Sequence, residues 1–299
     1  MDGKQGKERG CRLCPRACGA DREAGSGGVC GCDAQVRAAR IALHYWEEPC
    51  ISGDAGSGAV FFSGCPLHCI FCQNRKISGG AGKRLTVEEL AEAFLSLAAQ
   101  GAANWNLVTP THFVPQICEA LSLARARGVS LPVVYNSSGY ELPETLELLR
   151  GYADVYLPDL KYLDPELALR YSHAADYPEV AKAAIAKMVE QAGPPVFDDA
   201  GMLRRGVIVR HLALPGHGRD SRNVLRYLWE TYGNRIYISL MNQYTPPAEP
   251  LPYPNLNRRL SEKAYERLVD YALSLGIENG FIQEGETAEE SFIPDFDLL

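Results

Sequence analysis

Residues 64–74 read Gly64-Cys-Pro-Leu-His-Cys-Ile-Phe-Cys-Gln-Asn74 and come directly after an apolar run that predicts a β-strand. Cys65, Cys69 and Cys72 follow a C-x3-C-x2-C spacing, so three thiols lie in one short loop. A [4Fe–4S] cluster has four irons and normally takes four cysteine ligands. With three ligands from this loop, one iron keeps an open coordination position, which indicates a catalytic rather than a structural cluster.

Zinc, disulfide bonds and core packing account for the three cysteines less well than a cluster does. A zinc site usually shows pairs of C-x2-C separated by a dozen or more residues, whereas this loop supplies a triplet. A disulfide framework is typical of short secreted chains, and this chain has 299 residues. Three unrelated buried cysteines remain as the alternative to a cluster.

The bulk composition is that of an ordinary globular protein, with 46% hydrophobic and 22% charged residues. The net charge is −7 and no basic block occurs, so we expect no nucleic-acid partner. No segment approaches the roughly 20 apolar residues that span a bilayer, and the N-terminus lacks the apolar stretch of a signal peptide. The ten cysteines then indicate a reducing compartment, and we expect a cytoplasmic protein.

From residue 58 onward the pattern alternates between strands and helices, which predicts right-handed βαβ units and a parallel sheet. The predicted strands are Ala59–Ser63, Trp105–Thr109, Pro132–Asn136, Asp154–Leu157, Val207–Leu214 and Arg235–Leu240, with Gly280–Gln283 as a seventh candidate. The predicted helices begin with one capped by Thr86-Val-Glu-Glu89 and continue with Pro115–Arg127, Pro143–Gly151, Pro178–Gln191, Arg219–Tyr232 and Ser261–Leu275. Six units, rather than eight, predict an α/β fold of the open partial (β/α)6 barrel type.

Two segments depart from this alternation. Phe197–Met202 is typical of a turn in a short hairpin before Val207. Residues 1–35 are rich in Gly, Cys and Arg and show no clear periodicity, so we expect a module built of loops. We place this small Cys-rich N-terminal module at residues 1–50 and the barrel at residues 51–299.

The N-terminal module carries a second set of thiols, Cys11, Cys14, Cys18, Cys30 and Cys32. Cys11, Cys14, Cys18 and Cys30 form the simplest four-ligand set, with Cys32 left over. Four thiolates suit either tetrahedral zinc or an auxiliary iron–sulfur cluster, and the sequence does not separate the two. By contrast, the isolated Cys118 falls on a predicted helix and is typical of a small buried side chain.

The cluster loop closely resembles that of the radical S-adenosylmethionine (SAM) enzymes. Glu47–Gly53 and Gly56–Cys65 further resemble the pyruvate formate-lyase activating enzyme group, and within it a branch with a Cys-rich N-terminus. The resemblance implies that the open iron chelates the amino and carboxylate groups of SAM. An electron from the cluster then cleaves the sulfonium to give a 5′-deoxyadenosyl radical, which abstracts hydrogen from a substrate.

The resemblance to the activating enzymes implies that this substrate is a glycine in a partner glycyl radical enzyme. Modification of a peptide or of a small molecule is the alternative within the same superfamily. Either reaction implies an electron donor such as flavodoxin or ferredoxin. The rival from another class is a non-catalytic iron–sulfur electron-transfer protein, whose clusters would be fully ligated and which would need no substrate pocket.

Ligands of parallel α/β folds lie beyond the carboxyl ends of the strands, and the polar motifs of this chain fall there. With the resemblance, these positions give the candidate SAM contacts Phe71, Thr109, Thr111, His112, Asn136, Ser138, Asp159 and Arg210. Each has a structural alternative: a core aromatic for Phe71, helix capping for the threonines, a structural histidine, a simple turn after Asn136, and ion pairs for Asp159 and Arg210. Asn242–Tyr244 and Gln283–Glu284 end later strands and are expected on the substrate side.

Overall fold

The computed structural model describes residues 10–283, which form a sheet covered by helices. The strands are β1 (Val36–His44), β2 (Ser57–Phe62), β3 (Lys83–Leu85), β4 (Trp105–Val108), β5 (Val133–Ser137), β6 (Val155–Pro158), β7 (Val196–Phe197), β8 (Leu203–Leu212), β9 (Tyr237–Met241) and β10 (Gly280–Ile282). The helices are α1 (Pro49–Ser52), α2 (Arg75–Ser78), α3 (Val87–Ala99), α4 (Val114–Ala126), α5 (Pro143–Glu147), α6 (Pro165–Ser172), α7 (Tyr177–Ala192), α8 (Gly218–Tyr232) and α9 (Glu262–Ser274).

The sheet has the order β10-β9-β8-β6-β5-β4-β2-β1-β3 and does not close on itself within the described residues. All neighbours from β2 to β10 along this path are parallel. At the other end, β1 pairs antiparallel with both β2 and β3. The predicted partial barrel is confirmed, as are all seven predicted strands. The hairpin is also confirmed, because β7 pairs antiparallel with β8.

The N-terminal part has two different structures. Residues 10–35 contain turns and bends without a helix or strand, as the composition predicted. Residues Val36–His44, in contrast, form β1 of the main sheet, which the sequence analysis did not identify. The predicted division at residue 50 stays a prediction, and the loop-built part that is described ends before β1.

The two faces of the sheet bury different side chains because successive residues of a strand point to opposite faces. Along β5 and β6, Val133, Tyr135 and Tyr156 pack with the helices in the main core, whereas Val134 and Val155 belong to a smaller inner cluster. Ile51 of α1 packs into the inner cluster. Polar side chains of the same inner face are held around a cavity.

Candidate functional site

The central cavity has a volume of about 460 Å³ and is open at the carboxyl ends of the parallel strands. Cys65, Cys69 and Cys72 all line it, on the loop that follows β2. The loop thus delivers three thiols to the edge of the sheet where parallel α/β folds place their ligands.

Hydrogen bonds fix the loop and reach two of its sulfur atoms. The Cys69 Sγ accepts a hydrogen bond from the Ser172 hydroxyl at 3.0 Å, and the Cys65 Sγ accepts one from the Leu67 N–H at 3.4 Å. The Ile70 N–H donates to the Tyr171 carbonyl at 2.9 Å, which ties the loop to the end of α6. Donors to sulfur stabilise thiolates and tune the potential of a cluster that the thiolates hold.

Burial sets the protonation of these thiols. It raises the pKa of Cys65 to about 11 and that of Cys72 to about 12. The pKa of Cys69 is also raised by burial, although the Lys161 ammonium and the Ser172 hydroxyl oppose the rise. Thiolates are the metal-binding form, so cluster binding here must displace protons.

The donor set fits a four-iron cluster better than a single ion. Among residues 10–283, no three His, Cys, Asp or Glu side chains converge closely enough to ligate one metal ion. Cys65 and Cys69 nevertheless lie close enough to Cys72 to raise its pKa further. A cube spreads its ligands over several irons, so thiols that are neighbours without converging on a point suit it.

Strand-end side chains complete the cavity wall. Phe71, Thr109, Asn136, Ser138, Asp159 and Arg210, all predicted from the sequence, line the same cavity as the cysteines. Thr109 has a φ of 58°, in the left-handed region that a β-branched residue rarely adopts. Such strained residues cluster at ligand sites, which agrees with its position at the end of β4.

Asp159 and Lys161 form an ion pair at the cavity, with 2.5 Å between the Lys161 Nζ and the Asp159 Oδ2. The Lys161 side chain is 17% exposed and the Asp159 side chain 22% exposed, so this ion pair is not a solvated surface contact. Burial lowers the pKa of Lys161, but Asp159 and Cys69 outweigh burial, so the pKa lies above its usual value. Lys161 therefore stays a cation beside the cysteine loop.

Arg210 is paired with two glutamates, so the internal ion pair given as its structural alternative is present, although with other partners than Asp159. Its guanidinium bonds the carboxylates of Glu47 and Glu48, on the segment between β1 and α1. The prediction that Arg210 holds a ligand carboxylate is not supported by these contacts, and Asp159 is not its partner. Burial raises the pKa of Glu48, but Arg210 outweighs burial and holds that pKa below its usual range.

This buried group has more negative than positive charge. Glu47 also accepts hydrogen bonds from the side-chain amides of Asn106, at 2.7 Å, and Asn136, at 3.3 Å. The side-chain amide of Asn136 therefore bonds Glu47, and Asn136 also lines the cavity. Two carboxylates against one guanidinium give the inner end of the cavity an acidic character.

The comparisons with known proteins agree with this geometry. Residues 59–228, more than half of the chain, match the radical SAM superfamily. The chain belongs to the radical SAM superfamily. The uncharacterized protein MJ0674 of Methanocaldococcus jannaschii is 28% identical over 282 residues, which cover 89% of this chain and 76% of that protein.

Similarity to the solved structure of HydG supports the same fold at low identity. HydG, a maturase of the [FeFe]-hydrogenase, is 16% identical with a TM-score of 0.52, covering 76% of this chain and 52% of its own. A domain of the pyruvate-formate lyase-activating enzyme from Bacteroides vulgatus is 14% identical with a TM-score of 0.41, covering 57% of this chain and 91% of its own. The predicted superfamily is confirmed, and with it the catalytic [4Fe–4S] cluster and SAM as cofactors.

Two predicted SAM contacts lie away from the radical SAM cavity. Thr111 is buried and donates its hydroxyl hydrogen to Glu141 at 2.6 Å. The His112 Nε2 bonds the Ser63 carbonyl at 2.7 Å, and burial lowers the pKa of this imidazole to about 4. Neither residue lines the cavity. The structural alternative accounts for His112, whereas Thr111 bonds Glu141 and does not cap the following helix. Their assignment to SAM stays a prediction without geometric support.

Phe71 has a double role. It lines the cavity, yet it is buried and packs edge-on against Tyr162, Tyr171 and Tyr244, with ring centroids 6.0–6.4 Å apart. Its ring is therefore part of an aromatic core beneath the cysteine loop. Contact with adenine stays a prediction.

Several lining residues were missed as individual site candidates. The missed residues include Glu47, Glu48, Lys161 and Gln73, and they line the cavity together with the expected Gln243 and Gln283. Gln73 and Gln283 both contact Gln243. These three join β9, β10 and the cysteine loop, because Gln73 donates to the Gln243 carbonyl at 2.5 Å and Gln283 donates to the Gln243 side chain at 3.1 Å. Of the residues expected on the substrate side, Gln243 and Gln283 line the cavity, Tyr244 packs in the core, and Glu284 lies outside the described residues.

The N-terminal thiols gather beside the cysteine loop. Burial raises the pKa of Cys14 to about 12, and the neighbouring thiols of Cys11 and Cys30 raise it as well. All ten cysteines are free thiols, and Cys118 is buried on α4, as predicted. The second metal site itself stays a prediction. No helix among residues 10–283 is long and apolar enough to cross a bilayer.

Proposed function

We propose that this radical SAM enzyme abstracts hydrogen from a glycine Cα in a partner protein. When bound, the cluster and SAM supply a 5′-deoxyadenosyl radical, which is the general chemistry of the superfamily. The observation that carries the proposal is that three cysteines and five strand-end polar residues line one cavity of about 460 Å³. A carrier that only transfers electrons needs no such cavity.

The residues of the chain divide the work at this cavity. Cys65, Cys69 and Cys72 hold the cluster and leave one iron position for SAM. The Lys161 ammonium offers a cation for the SAM carboxylate next to that position, and the Asp159 carboxylate fixes the ammonium. Phe71 and the tyrosines around it keep water from the inner side of the loop, which protects a radical from side reactions.

The cavity mouth favours a polypeptide substrate. Tyr45 and Trp46 line the cavity, yet they are 51% and 57% exposed, and Ile282, which lines the same cavity, is 43% exposed. Exposed aromatic side chains are enriched at protein interfaces. The amide side chains of Gln73, Gln243 and Gln283 add donors and acceptors that match a peptide backbone. The sequence resemblance to pyruvate formate-lyase activating enzymes supports the same substrate class.

Deuterium transfer tests this proposal. The anaerobically reconstituted protein is given SAM, dithionite and peptides whose glycines carry deuterium at Cα. We expect deuterium in the 5′-deoxyadenosine, and the Cys69→Ala variant, processed identically, should give none. A peptide set that covers varied flanking residues and adds no deuterium to the 5′-deoxyadenosine would overturn the glycine assignment and favour another peptide position or a small molecule. A reaction without peptide gives the unlabelled background.

The partner that supplies electrons follows from the same chemistry. A low-potential one-electron carrier of the flavodoxin or ferredoxin class is the donor that we propose. The free state of all ten cysteines supports a reducing compartment such as the cytoplasm.

A further inference from the structure

Two of the N-terminal thiols lie against one glycine. A Cβ atom placed on Gly28 would lie 3.2 Å from the Cys18 Sγ and 3.5 Å from the Cys30 Sγ, so both sulfurs lie against this glycine. Cys11 is brought back to the same place because it exchanges backbone hydrogen bonds with Gly19 and Ala20. Cys14 lies in the turn between Cys11 and Cys18, where its carbonyl accepts from the Ala17 N–H at 2.9 Å.

The arrangement of these thiols is like that of the catalytic set. Neither group forms a three-ligand site for a single ion within the part of the chain that the structure describes. The catalytic three hold a four-iron cube by family membership. The N-terminal four are likewise neighbours, and they supply the four thiolates that a complete second cube takes. Tetrahedral zinc is the alternative that a metal analysis separates from it.

A buried cation lies beside this set. Arg22 is 6% exposed, and its guanidinium contacts the Cys11 Sγ at 3.8 Å while it donates to the carbonyls of Cys32, Asp33 and His112. No carboxylate accepts from Arg22 among its hydrogen bonds to the described residues. Its charge is therefore directed at the thiols, where it stabilises a site that gains negative charge.

The two thiol sets touch through their backbones. The Cys65 N–H donates to the Cys30 carbonyl at 3.2 Å, and the Cys32 thiol donates to the Ser63 carbonyl at 3.3 Å. A Cβ on Gly64 would lie 2.5 Å from the Cys30 oxygen and 2.7 Å from the Cys32 Sγ. Only glycine permits this approach, so no side chain separates the N-terminal loop from the cysteine loop.

We propose that Cys11, Cys14, Cys18 and Cys30 hold a second [4Fe–4S] cluster that delivers electrons to the catalytic site through the Cys30–Cys65 hydrogen bond. The proposal rests on the radical SAM assignment of Cys65, Cys69 and Cys72. A reduced flavodoxin- or ferredoxin-type carrier gives up one electron and is oxidised. The N-terminal cluster accepts that electron and passes it on, returning to its oxidised state, and no bond or proton changes in the transfer.

Metal content tests the site without any turnover. The wild-type protein should bind about eight irons and eight sulfides, from two four-iron clusters. Two variants each remove one site: Cys65→Ala/Cys69→Ala/Cys72→Ala and Cys11→Ala/Cys14→Ala. Each variant should keep about half of the iron and half of the sulfide. One zinc in place of the second iron set, or a triple variant without iron, would overturn the proposal.

Reduction kinetics test the route. In the Cys11→Ala/Cys14→Ala variant, we expect a reduced protein carrier to reduce the catalytic cluster at least tenfold more slowly in an anaerobic stopped-flow measurement. Reduction by dithionite, and the 5′-deoxyadenosine yield with dithionite, should stay close to wild type and thereby verify the folded catalytic site. The Cys118→Ala variant controls for loss of a buried thiol elsewhere. An unchanged rate with the protein carrier would refute the electron route while leaving the proposed function standing.

Discussion

At the scale of single residues, the site depends on charges that are buried and paired within the barrel. Arg210 pairs with Glu47 and Glu48, which are separated from it by more than 160 positions in the chain. Breaking one member of a buried ion pair leaves an uncompensated charge, which costs about 3–5 kcal/mol. The segment before α1 is therefore held inside the barrel by electrostatics as well as by the packing of Ile51.

Glu141 gives a pH dependence that belongs to this scale. It is fully buried and bonded by the hydroxyls of Thr111 and Tyr135, and burial raises its pKa to about 7 from an ordinary 4.5. Because the folded pKa lies above the unfolded one, folding favours the protonated acid. The stability that Glu141 contributes is present below about pH 4.5 and is lost as the pH rises through 7.

We therefore expect the Glu141→Gln variant to match wild type near pH 5 and to exceed it at pH 8 by up to about 3 kcal/mol. Like the protonated acid, the amide keeps one carbonyl oxygen that accepts from one of the two hydroxyls, and its NH₂ group donates to the oxygen of the other. Urea unfolding of the metal-free proteins at both pH values measures the difference. A gap between the variants that does not change with pH would contradict this account.

At the scale of elements, most of the barrel follows from local sequence. The capping box at Thr86 was predicted and is present, and Leu90, Phe94 and Leu97 of α3 are buried as their spacing implied. Helix α5 ends at Glu147, earlier than the predicted Gly151, and α6 was missed. Strand β1 was missed because arginines interrupt its apolar residues and its partners β2 and β3 follow it in the chain.

The capping box also gives a stability prediction. The Thr86 hydroxyl accepts from the Glu89 N–H at 3.1 Å, and the Glu89 carboxylate accepts from the Thr86 N–H at 2.8 Å. Thr86→Ala should lower the free energy of unfolding by about 1 kcal/mol, whereas Thr86→Ser should lose little. Denaturant titration of the three proteins compares them. Equal losses in the two variants would show that the threonine methyl group, rather than the cap, stabilises the helix start.

The site was less predictable than the elements. Strand ends correctly placed Thr109, Asn136, Ser138 and Asp159 at the cavity, because the carboxyl ends of parallel strands share one edge. The partners of Arg210 depend on contacts between distant segments. So do the buried positions of Thr111 and His112 away from the cavity. Local patterns carry no information on such contacts. Glu47 and Glu48 were missed for this reason, because their contact with Arg210 joins distant segments.

At the scale of the whole molecule, the N-terminal loops are built onto the catalytic loop. Arg16 donates to the Pro66 and Leu67 carbonyls of that loop and also to the Ser172 and His173 carbonyls at the end of α6. One guanidinium thus joins the N-terminal module, the cysteine loop and the helix whose Ser172 bonds Cys69. These contacts tie the N-terminal loops to the catalytic loop.

Removing this clamp, the set of Arg16 hydrogen bonds to the catalytic loop and to the end of α6, should loosen the catalytic loop. Arg16→Ala leaves carbonyl groups without a donor, so we expect a loss of about 1–3 kcal/mol in stability and a faster loss of the catalytic cluster to a chelator. Arg16→Lys keeps the charge but not the planar fork of donors. Its stability and its rate of cluster loss should therefore lie between those of the wild type and Arg16→Ala. Cluster absorbance against time under anaerobic chelation measures the effect. A loss rate equal to wild type in Arg16→Ala would exclude the clamp.

The measurement that tests the central claim most directly is the product analysis of SAM cleavage. Anaerobically reconstituted protein, given dithionite and SAM, should form 5′-deoxyadenosine and methionine in equal amounts, and Cys69→Ala should form neither. If the wild-type protein carries an intact, reducible cluster at Cys65, Cys69 and Cys72 and still forms no 5′-deoxyadenosine, the cavity is not a SAM site and the proposed activity is wrong.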